Sequence, residues 1–239
     1  MSDLRHLRGA ITGLLGFAAT EEQILLATRP PGESGSPRNW AALPVVAHNT
    51  EFKAQQVQRL SAIRQVQAPP EFAEIDHTDS EVYLACAAVA PERVAADSIL
   101  VTGELIDGLT AMSEDDMFDP TRHPWLRGRQ LWLQIVVRGF WHPTGHLSDY
   151  YLAHHQPARA IALTAQAVTT AHYLGVPDEA AAMASYNLAC AQAKAGRLDE
   201  AAAAVRETVV LNPGLRAKVA TEPDLAVLAD AGLLESSVV

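Results

Sequence analysis

Hydrophobic residues recur at three- and four-residue intervals along much of the chain, which is the spacing of one buried helical face. The clearest run contains Leu4, Leu7, Ile11, Leu14 and Leu15. It predicts a first helix over about residues 3–19. Thr20, followed by two glutamates, has the pattern of an N-cap, so a short second segment is expected to end near Arg29. Few stretches alternate Val, Ile or Thr with polar residues as strands do, and the sequence therefore predicts an all-α fold.

Three further long helices are predicted before the chain changes character. They cover about residues 40–67, about residues 79–112 with Pro91 as a kink or break, and a stretch that begins near Gly128. Four long helices with connections of moderate length are typical of a bundle, whose metal and ligand sites face its interior. We therefore expect an up-and-down four-helix bundle at residues 1–153 and a second helical region at residues 154–239.

The second region is rich in alanine, and residues 182–215 form a 34-residue unit that resembles a tetratricopeptide repeat. Small residues at 189 and 201 would let two helices approach closely, and Gly196 suits the turn between them. Ser185, Gln192 and Thr208 depart from the pattern of the repeat. The residues that match it are Leu188, Ala189, Gly196, Ala201, Val205 and Pro213.

One such repeat cannot bury its own apolar faces, so we expect this region to pack on the bundle or on a second subunit. The preceding residues 158–175 are interpreted either as a degenerate helix pair or as the last helix of the bundle. A homodimer, or a peptide partner bound by the tail, is the interaction that this resemblance implies.

Three histidines are the candidate chemistry of the chain. His142 and His146 lie four residues apart in an apolar, aromatic stretch, and His48 lies in an earlier apolar helix. Imidazoles at positions i and i+4 project from one helical face, and a third from a packed neighbour would complete a three-nitrogen metal site. Three protein ligands leave one position open, as in catalytic metal sites. The alternative is that these are hydrogen-bonded core histidines, and Pro143 could break the helix between the pair.

Two carboxylates lie one helical turn from these histidines. Glu51 follows His48 and Asp149 follows His146. Either could orient a ligand imidazole or act as a general base, which makes both candidate catalytic residues. The alternative is that both are solvated surface carboxylates.

Composition excludes several classes of function. The formal net charge of -10 argues against nucleic-acid binding, which needs clustered Lys and Arg. No apolar run approaches the ~20 residues of a membrane span. The N-terminus has no basic-then-apolar leader, and Cys86 and Cys190 suit reduced core thiols, so we expect a cytoplasmic protein.

Several short segments of the first part of the chain are informative together: Asn39-Trp40, His48, Phe118-Asp119-Pro120, His123-Pro124-Trp125-Leu126, Leu131-Trp132, His142 and His146. Through them, about residues 3–153 resemble the DinB-like four-helix bundles, and most closely their ClbS/DfsB-type branch. The resemblance implies a divalent metal, often zinc or nickel, held by His48, His142 and His146. Some proteins of this family are thiol-dependent transferases or isomerases, one group hydrolyses a reactive cyclopropane, and many have no known reaction.

Two functional hypotheses follow. The first is a metal-dependent enzyme acting on a small molecule, as a hydrolase or as a thiol-dependent transferase or isomerase, with zinc or nickel and with a low-molecular-weight thiol as a candidate cosubstrate. The second is a non-catalytic interaction protein that uses the tetratricopeptide-like tail, with the bundle as a scaffold. Metal content separates them, because only the first requires about one divalent ion per chain.

Overall fold

The computed structural model describes residues 4–72 and 79–233 of the 239-residue chain. The regular elements within these two ranges are helical, and no β-strand is present there apart from a single bridge between Ser36 and Asn39. The predicted all-α class is therefore confirmed.

Helix α1 runs without interruption over Leu4–Thr28, so the predicted end near residue 19 is wrong. Thr20 does not cap a second helix, because its hydroxyl donates to the carbonyl oxygen of Gly16 at 2.8 Å, one turn earlier. This back-bonding satisfies a threonine hydroxyl inside a helix. The apolar stripe continues beyond Thr20 through Leu25 and Leu26, which are both buried and hold the second half of the helix in the core.

Helices α2 (Ala42–Arg64), α3 (Asp79–Ala87) and α4 (Pro91–Ala111) follow, and α4 packs on both α1 and α2. The predicted break at Pro91 is confirmed, since this proline occupies the first turn of α4, where the missing N–H has no helical partner to lose. At Gly108 a Cβ would lie 2.9 Å from Leu60 Cδ1, so the glycine permits the close approach of α2 and α4.

A buried ion pair and its hydrogen bonds join helices α1, α2 and α4. Lys53 of α2 donates to Glu22 of α1 at 2.7 Å, and both side chains are almost inaccessible, at 1% and 0% exposure. The same carboxylate oxygen accepts a 2.6 Å hydrogen bond from Ser98 of α4, and Lys53 also donates to Thr102 at 3.1 Å. Buried charges are tolerated when such partners surround them, and the network fixes the relative position of the three helices.

The connection after α4 contains a short helix α5 (Glu114–Phe118) and a 3₁₀ turn at Pro124–Leu126. Ser113 and Asp116 form a reciprocal capping box at the start of α5. Arg127 takes a left-handed conformation with φ of 52° and turns the chain toward the next helix. This connection brings Trp125 and Arg129 to the face of the molecule where the histidines lie.

Helix α6 (Leu131–Val136), a π-helical turn at Val137–Trp141 and helix α7 (His142–Ala153) form one continuous helical run. In a regular α-helix the ring of Pro143 would crowd the carbonyl group of Gly139. The wider π turn accommodates the proline, and the His142 N–H bonds to Val137 O across five residues. The helix therefore continues through the π turn without breaking, and the two histidines of α7 lie on successive turns of one helical face.

The remaining helices are α8 (Pro157–Leu174), α9 (Asp178–Lys194), α10 (Leu198–Leu211), α11 (Arg216–Thr221) and α12 (Ala226–Asp230). Helix α9 packs on both α8 and α10. The segment at residues 158–175 is thus a single helix, α8, which belongs with the tail, so both predicted alternatives for it are wrong.

The helix pair predicted around Gly196 is confirmed. Gly196 has a φ of +76°, a conformation that favours glycine, and the Arg197 N–H closes the turn on Gln192 O at 2.9 Å. Ala189 and Ala201 are fully buried, as expected for helices that approach closely through small residues. The likeness to a tetratricopeptide repeat stays a prediction.

The chain divides into two compact units, one through His146 and the other from Leu147 onward. The predicted boundary between residues 153 and 154 coincides with the end of α7, whereas the contacts divide the chain inside that helix. Among the described helices, none is both long enough and apolar enough to cross a membrane.

Candidate metal centre and adjoining cleft

Three imidazoles converge in the first unit. His48 extends from α2, while His142 and His146 extend from successive turns of α7. One ring nitrogen from each lies within 4.8 Å of the other two, and the Nε2 atoms of His48 and His142 are 3.1 Å apart. The convergence that the sequence predicts is therefore confirmed.

The distance between the Nε2 atoms of His48 and His142 fits a metal centre. Two nitrogens that each lie about 2.0–2.1 Å from one ion at a tetrahedral angle are separated by roughly 3.3 Å, close to the observed Nε2–Nε2 distance. Within residues 4–72 and 79–233, the three histidines form this cluster without any carboxylate or thiol ligand. The cluster could hold a metal ion, with at least one coordination position left for another molecule.

The surroundings keep two of the imidazoles neutral. Burial lowers the pKa of His48 to about 3, with further contributions from His146 and from the Arg138 guanidinium. Burial, His146, His48 and Arg138 also hold the pKa of His142 well below the ordinary histidine value. A neutral imidazole is the form that binds a metal, so these two side chains are ready to act as ligands at neutral pH.

Aromatic rings enclose the cluster. Phe52 stacks on His142 with 4.2 Å between ring centroids. Trp40 lies edge-on to His48 at 5.4 Å and nearly parallel to His146 at 6.3 Å. These contacts restrict the rotation of the three imidazoles and remove water from one side of them.

A cleft of about 930 Å³ opens beside the cluster and includes His48 and His146 in its wall. Its apolar walls come from four aromatic side chains: Trp40, Phe52, Phe72 and Trp125. Its charged walls consist mainly of arginines: Arg59, Arg127, Arg129 and Arg138. The volume is in the range of sites for small molecules, and the walls combine apolar surface with a few charged groups as such sites do.

Glu51 lies on the exposed side of α2. Its carboxylate accepts a hydrogen bond from Gln55 at 3.3 Å and faces the Cys86 thiol closely enough to raise the pKa of Cys86. It is not part of the histidine cluster. The surface interpretation thus describes its position, and its role as a general base stays a prediction.

Asp149 belongs to the second unit. Its carboxylate accepts a 2.7 Å hydrogen bond from Lys194, which also pairs with Asp224 at 2.7 Å. Burial opposes the charge on Lys194, but the two carboxylates outweigh it and raise its pKa. Asp149 therefore balances a lysine here, and its predicted catalytic role stays a prediction.

Cys86 and His123 are two further residues whose side chain types can act in catalysis or bind a metal. Burial, together with Glu51, raises the pKa of Cys86 to about 11, so its thiol is protonated at neutral pH and is a poor nucleophile. His123 is buried in the connection before α6, where its Nε2 lies 3.1 Å from Asp116 O. Neither side chain belongs to the cluster of His48, His142 and His146.

The sequence interpretation missed Arg59 and Arg138. Arg138 precedes His142 by four residues, and Arg59 follows His48 by eleven, which is about three helical turns. Both spacings place the arginine on the same helical face as its histidine, which is the feature that could have identified them. Arginines in helices usually lie on the solvated surface, so this spacing alone does not distinguish them from surface residues.

Comparison of the chain with protein-family models, with curated proteins and with solved structures finds no match. The geometry of the cluster and its cleft is therefore what indicates the function of this chain.

Proposed function

We propose that the protein is a metal-dependent enzyme of the DinB-like type that acts on a small molecule through His48, His142 and His146. The observation that supports this proposal is the convergence of three ring nitrogens, at least two of them on imidazoles held neutral, at the wall of a cleft. The N-terminal unit would then be the four-helix bundle of that family, and zinc or nickel would be the ion, since both accept imidazole ligands.

Different residues of the chain would bind the ion, position the imidazoles and contribute charge at such a site. The three imidazoles would hold the ion, and the ring contacts of Phe52 with His142 and of Trp40 with His146 restrict the rotation of these imidazoles. A bound divalent ion would supply Lewis acidity toward a water, a thiol cosubstrate or the substrate. The positive charge of the Arg138 guanidinium lowers the pKa of His48 and His142. The same charge would stabilise negative charge that develops in the cleft during a reaction.

Metal content tests the proposal. Protein produced without a histidine tag, stripped with chelator and dialysed against zinc or nickel should retain about one ion per chain. His142→Ala should reduce the retained ion to a small fraction. His172→Ala, which removes a half-exposed histidine on α8, is the matched control and should retain the wild-type amount.

A wild-type protein that retains neither ion contradicts the proposal. So does retention that is unaffected by His142→Ala, because the ion would then be held elsewhere. In either case the interaction-protein hypothesis, with the tail as the partner-binding element, becomes the better account of the chain.

A further inference from the structure

The cleft beside the histidines is a positively charged site within an acidic protein. The chain carries a formal net charge of -10, yet four arginines line this one cleft. Glu71 is the only carboxylate among its lining residues in the described part of the chain. Low-dielectric walls that carry charge of one sign concentrate the electric field and attract ligands of the opposite sign.

Arg59 is the unusual member of this group. It is 8% exposed, and its guanidinium lies over the ring of Phe72 and over the ring of Trp125, with its Cζ 4.9 Å from each ring centroid. Its Nε donates to Pro70 O at 3.5 Å, the limit of a hydrogen bond. No carboxylate pairs with it among residues 4–72 and 80–233.

A buried guanidinium that has no counter-ion in the described part of the chain is costly, since desolvation opposes its charge, and burial lowers the pKa of Arg59 accordingly. The two aromatic faces offset part of this cost by cation–π attraction. A guanidinium already held against two aromatic faces loses little further freedom when its edge donates two parallel hydrogen bonds to an oxyanion. A purely structural arginine clamp would need the ring contacts but would not need a cleft beside it.

We propose that Arg59 binds the oxyanion group, a carboxylate or a phosphate, of an elongated small molecule whose other end reaches the histidine cluster. Arg59 lies about 16 Å along α2 from His48, at a rise of about 1.5 Å per residue over eleven residues. The long arginine side chain shortens the distance that the ligand must span. Trp40, Phe52 and Trp125 line the same cleft and offer apolar surface to such a ligand.

This inference rests on the proposed function only in identifying the anion with the substrate. Binding itself is measured on metal-free protein, so the two proposals can fail separately. A protein that holds no metal can still prefer anions, and a protein that holds a metal can lack that preference.

Calorimetric titration with three probes distinguishes a site for a carboxylate, a site for a phosphate and a site without preference for anions. The probes are 4-phenylbutyrate, phenyl phosphate and the uncharged 4-phenylbutanamide. At least one of the two anions should bind roughly tenfold or more tightly than the amide, as expected for charge-assisted hydrogen bonds. The better anion tells whether the group is a carboxylate or a phosphate. Its advantage should decrease as salt concentration is raised.

Variants assign the preference to Arg59. Arg59→Gln should remove most of the anion preference, and Arg59→Lys, which keeps the charge but loses the planar fork, should remove part of it. Arg93→Gln is the control, because it removes the same charge from an exposed position on α4 that pairs with Asp97. It should bind all three probes as the wild type does.

Equal binding of the anions and the amide, or no binding of either anion at millimolar concentration, overturns the inference. An anion preference that survives in folded Arg59→Gln also overturns it. If circular dichroism shows that Arg59→Gln does not fold, Arg129→Gln at the exposed rim of the cleft takes its place. Unchanged anion affinity in both Arg59→Lys and Arg129→Gln would then refute the proposal.

Discussion

Acidification should destabilise the metal-free protein through the histidine cluster. In the folded protein the pKa of His48 is lowered to about 3, whereas in the unfolded chain it returns to about 6.5. Between these values the unfolded chain binds a proton that the folded protein does not. The stability attributable to neutral His48 is thus fully present above about pH 6.5 and is lost as the pH falls toward 3.

The magnitude follows from the two pKa values. At about pH 5 the unfolded chain lies roughly 1.5 pH units below its own pKa, which at about 1.4 kcal/mol per unit corresponds to a loss of about 2 kcal/mol in the free energy of unfolding. His142, whose pKa is also lowered, adds a loss in the same direction. Such a change is large against the total stability of an ordinary domain, ~5–15 kcal/mol.

Tryptophan fluorescence is a suitable assay, because Trp40, Trp125, Trp132 and Trp141 all lie in the unit that contains the cluster. Urea unfolding in chelator at about pH 7.5 and pH 5 gives the free energy of unfolding of that unit. His48→Gln should show a shallower pH dependence, whereas His172→Gln in the second unit should keep the wild-type slope. A wild-type free energy that does not change between these pH values, or a slope that His48→Gln leaves intact, would refute the reasoning.

Three further predictions concern the buried ion pair and the packing of the helices. Lys53→Met should cost about 3–5 kcal/mol because Glu22 is left buried and uncompensated, and adding Glu22→Leu should recover much of this loss in urea unfolding; additive losses would contradict the coupling. Gly139→Ala should cost about 1–3 kcal/mol by the same assay, since its Cβ would lie 2.1 Å from Leu15 Cδ2, and wild-type stability would show that α1 yields easily. Ala201→Leu should overpack the α9–α10 contact at a similar cost, measured by circular dichroism, and an unchanged melting curve would mean that this contact is loose.

The helical class and the histidine cluster could be predicted because both depend on local spacing. A four-residue interval places His142 and His146 on one face whatever the rest of the chain does, and His48 lies on a long apolar helix that must pack somewhere. The uninterrupted α1 could not be predicted in the same way. Thr20 has the chemistry of an N-cap, and only the burial of Leu25 and Leu26 beyond it decides in favour of one helix.

The charged residues of the site were harder to predict because their partners are distant in sequence. Glu51 and Asp149 have a suitable spacing from the histidines, but Gln55 and Lys194 bind their carboxylates. The spacing of Arg59 from His48 places both on one face of α2, but the importance of Arg59 depends on Phe72 and Trp125, which only the folded chain brings to it. Spacing along one helix identifies which residues share a face, and it does not identify what that face meets.

The π turn at Val137–Trp141 has a consequence for how this protein can change by insertion and deletion. A π turn holds one residue more than the α-helical turn that it replaces, so it rotates everything that follows by about 100° around the helix axis. Deleting one residue from the turn would restore a regular helix and turn His142 and His146 away from His48. The extra residue thus sets the angular phase of α7, and with it the existence of the three-histidine cluster.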